Sequence, residues 1–239
     1  MTPEQHVQFL RAEADAFSRV LASGDLDAQV PNCPGWTLAD LAAHLGSVHR
    51  WARGAMLTGP SHLETRPIPA GRDAIVDWFA EGVAALHESL TQIDATTPCW
   101  TFEEVDTAAF WMRRQAHETA VHRWDAESSQ GTPGGIDAAL AADGVAEVVD
   151  MFFPRQVRLA RIPPLQRSLR LAPDEGAACT LAGDGTGTGT GTAADAELAG
   201  PAEALLLVLW GRTVVDDPRL RLRGSRAAAE EVLAAAITP

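Results

Sequence analysis

The chain has 239 residues, 46% of them hydrophobic and 21% charged, which suits a globular protein with a substantial core. Its net charge of -13 and pI near 4.9 argue against a polyanionic partner, so no nucleic acid is expected. No apolar run is long enough to span a bilayer, no basic amphipathic segment suits an anionic membrane, and the first residues lack the pattern of a secretion signal, so the expected compartment is the cytoplasm.

Leu10, Ala14, Phe17, Val20 and Leu21 recur at helical spacing and predict an amphipathic helix over 3–22. Pro34 and Gly35 break the chain. Thr37 then offers an N-cap, with Asp40 three residues on, for a helix that carries Leu38, Leu41, Leu45 and Val48 on one face. A third helix is predicted over 71–92, with Ile75, Trp78, Phe79, Val83, Leu86 and Leu90 inward. A fourth begins near Asp106 or Thr107 and runs to Ser128. Four such rods read as a helical bundle.

The breaker Gly131-Thr132-Pro133-Gly134-Gly135 precedes a further helix over 137–160, which Pro154 is expected to kink or shorten. The texture then changes. Ser168-Leu169-Arg170-Leu171 and Ala178-Cys179-Thr180-Leu181 alternate like strands, and 193–199 reads as a third. The Gly-Thr run from Gly183 to Thr192 is expected to be a flexible hairpin loop, because no Gly-Lys-Ser/Thr follows to make it a phosphate loop. Pro201 opens a helix through Trp210, Leu220 to Arg223 form a short strand, and Ser225 caps a last helix. The fold class is therefore α+β: a four-helix bundle over 1–155 and a small α+β domain on an antiparallel sheet over 156–239.

Three cysteines without a CxxC pair suit neither a disulfide framework nor a zinc ribbon. The segment from Gln115 to His122 resembles the His-Glu-x-x-His protease pattern but has one residue too many. His117 and His122 fall about 140° apart around a helix and are poorly placed to share an ion. Glu118 and His122, four apart, stack on one face and make half of a metal site. His44 lies inside the apolar stripe of the second helix, where a buried imidazole needs a partner, so it is the candidate third ligand. A hydrogen-bonded polar core without metal explains the same three residues. His6, His62 and His87 are read as solvent-like or loop positions, and His49 as turned away from His44. Gln115 and Asp125 are candidates to orient the ligand imidazoles, although helix-surface polarity explains Asp125 as well. Cys33 reads as a structural thiol, and Trp36 and Trp124 as core aromatics.

The run Cys33-Pro34-Gly35-Trp36-Thr37-Leu38 with Ala43-His44-Leu45, followed by Arg114 to Glu118 and His122-Arg123-Trp124-Asp125, resembles the mycothiol-dependent maleylpyruvate isomerase family of the DinB/YfiT-like superfamily. Ser168 to Leu171 and Leu209-Trp210-Gly211-Arg212 resemble that family's second domain. The resemblance implies a DinB-like bundle holding one divalent metal, typically zinc, on His44, Glu118 and His122. It also implies mycothiol, an actinobacterial low-molecular-weight thiol, as co-substrate, and a small electrophilic substrate for an isomerase or thiol transferase. Arg212 is the candidate cationic donor to that substrate, against the reading of a surface salt bridge. The competing functional expectation is a non-catalytic module in which the metal is a staple and the chain binds a small apolar ligand or a protein partner.

Overall fold

A computed structural model of the chain describes residues 1–60, 62–63, 66–186 and 194–239, without the side chains of Glu104 and Val105. The chain divides into two compact units, Met1–Gly135 and Ile136–Pro239. The division falls at the Gly-Pro-Gly breaker rather than at 155/156. The helix after the breaker packs on a helix of the second unit, so it belongs there.

The first unit is built on α1 (Pro3–Ser23), α2 (Leu38–Thr58), α3 (Arg72–Gln92) and α4 (Ala108–Ser129). Capping boxes start the first two helices: Thr2 with Gln5, and Thr37 with Asp40. α1 and α2 each pack on α3 and α4. Their shared core includes Ala14, Phe17, Leu21, Leu38, Leu41, Leu45, Phe79 and Val83, with the Phe17 and Phe79 rings 4.7 Å apart. At Gly46 the helix meets Trp78 so closely that an added Cβ would lie 2.3 Å from the ring. Arg72 Nη1 donates to the carbonyls of Leu21 and Gly24 at 2.6 and 2.8 Å, satisfying the C-terminal end of α1.

Between α3 and α4 lies a hairpin that periodicity did not predict, β1 (Pro98–Thr101) paired antiparallel with β2 (Glu104–Thr107). It supports an aromatic cluster: the Trp51 and Trp111 rings are 5.2 Å apart, Trp111 lies 5.9 Å from Phe102, and Trp111 Nε1 donates to the Trp100 carbonyl at 2.9 Å.

In the second unit α5 (Ala138–Glu147) runs through a π-helical turn, Val148–Phe152, into α6 (Phe153–Arg158). Pro154 does not end the helix at that point, since α6 continues to Arg158. Its ring removes one donor, and the wider turn lets the Phe153 N–H reach the Val148 carbonyl instead. The helix ends where Ala160 turns to a φ of 53°. Strands β3 (Leu165–Pro173), β4 (Cys179–Gly183), β5 (Ala196–Gly200) and β6 (Arg221–Gly224) form one sheet in the order β4-β3-β5-β6. Two of its pairings are antiparallel as expected, but β3 and β5 run parallel. The chain goes out along β3, back along β4 and out again along β5, and β5 then docks on β3 rather than on β4. Leu169, Leu171, Leu181, Ala196 and Leu198 are buried on one face. On the other face Arg170 stands opposite Glu197 and pairs with it. α7 (Ala202–Leu209) is buried almost all round. α8 (Arg226–Ala234), capped by Ser225, packs on β3 and β5. Most of the Gly-Thr run, 187–192, lies outside the described residues.

Candidate metal centre

α4 is the unusual helix of the bundle. It buries Arg114, Gln115, His117, Thr119, Arg123 and Asp125, an arrangement that is costly unless the polar atoms are matched. The matches run across the bundle. Arg123 donates through Nε to Glu13 on α1 at 2.6 Å and through Nη1 to Glu127 at 2.7 Å. Its two terminal nitrogens also reach the carbonyls of Gly134 and Gly135 at 3.2 and 2.8 Å. The Thr119 hydroxyl donates to the Gln115 carbonyl at 2.7 Å, so His49 Nε2, 2.9 Å from that hydroxyl, carries the proton and donates to it. Burial lowers the His49 pKa to about 3, which keeps the ring neutral.

His44, Glu118 and His122 converge from α2 and α4. One ligand atom from each lies within 4.8 Å of the others. Glu118 Oε1 sits 3.4 Å from His44 Nε2 and 3.3 Å from His122 Nε2. Both separations exceed the roughly 2.7–2.9 Å of a charge-assisted hydrogen bond. They match the edge of a tetrahedron, about 3.3–3.5 Å, drawn by zinc–nitrogen and zinc–oxygen bonds of about 2.0–2.2 Å. Two imidazoles and a carboxylate are donors that zinc accepts. The three side chains are 23%, 19% and 12% exposed, so solvent reaches the trio.

Each ligand is held from behind. Trp36 packs on the His44 ring at 4.9 Å, which gives that aromatic its place beside the trio. Arg114 Nη2 donates to the other carboxylate oxygen, Glu118 Oε2, at 3.1 Å. Asp125 Oδ2 lies 3.0 Å from His122 Nδ1. Cys33 Sγ stands 3.7 Å from the same Asp125 oxygen. The turn that brings Cys33 there is closed by Cys33 N–H to Val30 O and Trp36 N–H to Cys33 O, with Gly35 at a φ of 82°. Burial would raise the Glu118 pKa, but the facing imidazoles of His122 and His44 and the Arg114 charge hold it well below the usual range. Burial would lower that of His122, but its hydrogen bond to Asp125 and the nearby Glu118 charge outweigh this and hold it up to about 9.

Several sequence expectations change. Of the two readings of Asp125, surface polarity fails because the residue is fully buried, and its contact with His122 favours the orienting one. His6 is buried, not solvent-like, with its ring 5.8 Å from that of His117. His49 is buried and bonded to α4. Arg114, Thr119 and Arg123 were missed as supports, because each looks on its own like an ordinary polar helix residue. Arg212 lies in the second unit, where Nη1 donates to the Trp210 carbonyl at 2.8 Å and the guanidinium sits 6.0 Å from the Trp210 ring centre. Among the described residues no helix is long and apolar enough to cross a membrane.

Comparison with known proteins places these features in a family. The family model described as the mycothiol maleylpyruvate isomerase N-terminal domain matches residues 7–127. The model of the C-terminal domain of the same proteins matches residues 139–231. Two solved structures share the fold. One is described as a histidine-to-alanine mutant of the mycothiol-dependent maleylpyruvate isomerase. It is 12% identical, covers 93% of each chain and has a TM-score of 0.65. The other, described as the mycothiol-dependent maleylpyruvate isomerase, is 13% identical, covers 89% of this chain and 90% of that one, and has a TM-score of 0.63. No curated protein matches. With matches to both domains over most of its length, the chain belongs to the mycothiol-dependent maleylpyruvate isomerase family.

Proposed function

We propose that this protein is a metal-dependent enzyme that binds mycothiol and adds its sulfur, as a thiolate, to a small electrophilic substrate, as an isomerase of the maleylpyruvate type or as a thiol transferase. The observation that carries this reading is the spacing of Glu118 Oε1 from two imidazole Nε2 atoms on different helices, 3.4 and 3.3 Å. That spacing is too long for strong hydrogen bonds and right for a shared zinc-sized cation. Family membership supplies the thiol. His44, Glu118 and His122 would hold the ion. A divalent metal bound by three protein ligands supplies Lewis acidity at an open position and deprotonates a thiol that enters it.

The chain's own residues then have distinct tasks. Glu118 brings the negative charge and the two imidazoles bring neutral donors. Trp36 closes one side of the His44 ring. His49, kept neutral, adds no competing charge beside the trio. Arg212 of the second unit is proposed as a cationic donor to a substrate carboxylate on its Trp-Gly-Arg motif alone, a role its planar fork suits. Rotation about the new single bond, then loss of the thiol, completes an isomerisation without net consumption of thiol.

The test is thermal unfolding of the zinc-loaded protein with mycothiol, with glutathione and with no thiol. Selective stabilisation by mycothiol that disappears in His44→Ala supports the reading. Stabilisation by no thiol, with zinc still bound, would leave the metal as a structural staple of a non-catalytic binding module.

A further inference from the structure

His122 belongs to two side-chain clusters at once. Its Nε2 faces Glu118 and His44, and its Nδ1 faces Asp125 with Cys33 behind it. Either group has donor atoms close enough to hold a cation. Building on the proposed metal site, we propose that only the first is a metal position, and that Arg114 and Asp125 are its positioning residues. Each engages the rear atom of one ligand, so Glu118 offers Oε1 alone and His122 offers Nε2 alone.

The distances separate the two clusters. Asp125 Oδ2 and His122 Nδ1 are 3.0 Å apart, within ordinary hydrogen-bond range, so a proton bridges them. The trio's contacts of 3.3 and 3.4 Å lie beyond that range. A proton on Nδ1 fixes the tautomer whose Nε2 lone pair points at the trio, and the buried carboxylate makes that nitrogen a better donor. The Cys33 thiol, 3.7 Å from the same oxygen, completes a line of donors: Cys33 to Asp125, and His122 to Asp125. A cation there would have to displace the proton that bridges Asp125 and His122 Nδ1 and take the proton of the Cys33 thiol as well.

On the other flank, Arg114 is buried and donates to Glu118 Oε2 at 3.1 Å. A carboxylate with one oxygen engaged by a guanidinium cannot easily chelate through both. One-oxygen binding by Glu118 keeps the coordination number low and a position open for the thiol.

The test uses the full-length protein loaded with zinc for affinity and with cobalt(II) for spectroscopy. In zinc-loaded wild type, nitrogen-resolved NMR should show a protonated Nδ1 on His122. Asp125→Ala should lose that signal and weaken zinc binding about 10- to 100-fold in chelator competition, with partial rescue by Asp125→Glu. Arg114→Met should weaken the tetrahedral visible bands of cobalt as the second Glu118 oxygen joins, and Arg114→Lys should restore them. Cys33→Ser should leave the resting cobalt spectrum unchanged. A sulfur-to-cobalt band in the resting protein that Cys33→Ser removes, or a deprotonated Nδ1, would overturn the proposal. So would an Asp125→Ala protein with wild-type zinc affinity, or an Arg114→Met protein with unchanged cobalt bands. These outcomes leave the metal reading intact. A wild type that takes up neither ion would overturn both.

Discussion

The replacement Arg123→Met tests whether α4 is held in register by a buried charge hub. Arg123 makes four hydrogen bonds, to Glu13, Glu127, Gly134 and Gly135, at 2.6, 2.7, 3.2 and 2.8 Å. Its side chain is 4% exposed and that of Glu13 is 11% exposed, so methionine fills the space but leaves a nearly buried carboxylate without its cation. Removing one partner of such a pair costs about 3–5 kcal/mol. Glu127 is 20% exposed and still accepts from the Gly134 N–H at 2.7 Å. The loss should therefore lie near the lower end, about 3 kcal/mol. For a chain of this size that is a fall in Tm of about 6–12 °C. Urea unfolding measures the free energy and calorimetry the midpoint. Glu13→Gln combined with Arg123→Met should be less destabilised than the two single losses added together, because the orphaned charge is gone. The control is Arg11→Ala. Its pair with Asp15 is about half exposed on both sides and should be worth about 0–1 kcal/mol. If Arg123→Met proves no more harmful than Arg11→Ala, the hub does not fix α4, and the support argued for the trio from that side is wrong.

Other outcomes follow from single features. His122 is held up to about 9 from 6.5. Its contribution to the metal-free protein is therefore fully present below about pH 6.5 and lost as pH rises through 9. Chelator-treated protein should lose Tm over that window, zinc-loaded protein should not, and zinc binding near pH 7.5 should release about one proton per ion by calorimetry in two buffers. Gly46→Ala drives a methyl into the Trp78 ring and should cost about 1–3 kcal/mol in urea unfolding, with a changed tryptophan emission. Burial pushes the Cys179 thiol up to about 11, so iodoacetamide at pH 8 should modify it more slowly than the unfolded chain, as read by peptide mass spectrometry.

The long helices were legible because their cores repeat at helical spacing, and caps such as Thr37 and, for the short last helix, Ser225 are explicit. The β1–β2 hairpin was not, since four-residue strands rich in aromatics carry little periodicity, and what holds them is contact with Trp51 and Trp111. Pro154 was read from its missing donor alone, and the π-helical turn that absorbs it depends on the Val148 carbonyl five residues before Phe153. The candidate trio could be reached by spacing because Glu118 and His122 share a face and His44 sits oddly among leucines. Asp125, three residues after His122, could be named as a candidate support but not told from helix-surface polarity until its burial is seen. Arg114 and His49 acquire meaning only when a partner far along the chain, or a turn away, is seen at hydrogen-bond distance.

Metal content of untagged protein, measured by mass spectrometry after zinc supplementation and desalting, bears most directly on the trio of His44, Glu118 and His122. One zinc ion per wild-type chain is expected, with most of it lost in Glu118→Gln variants that remain folded by circular dichroism. A wild-type value near zero, or a Glu118→Gln value equal to wild type, would contradict the account.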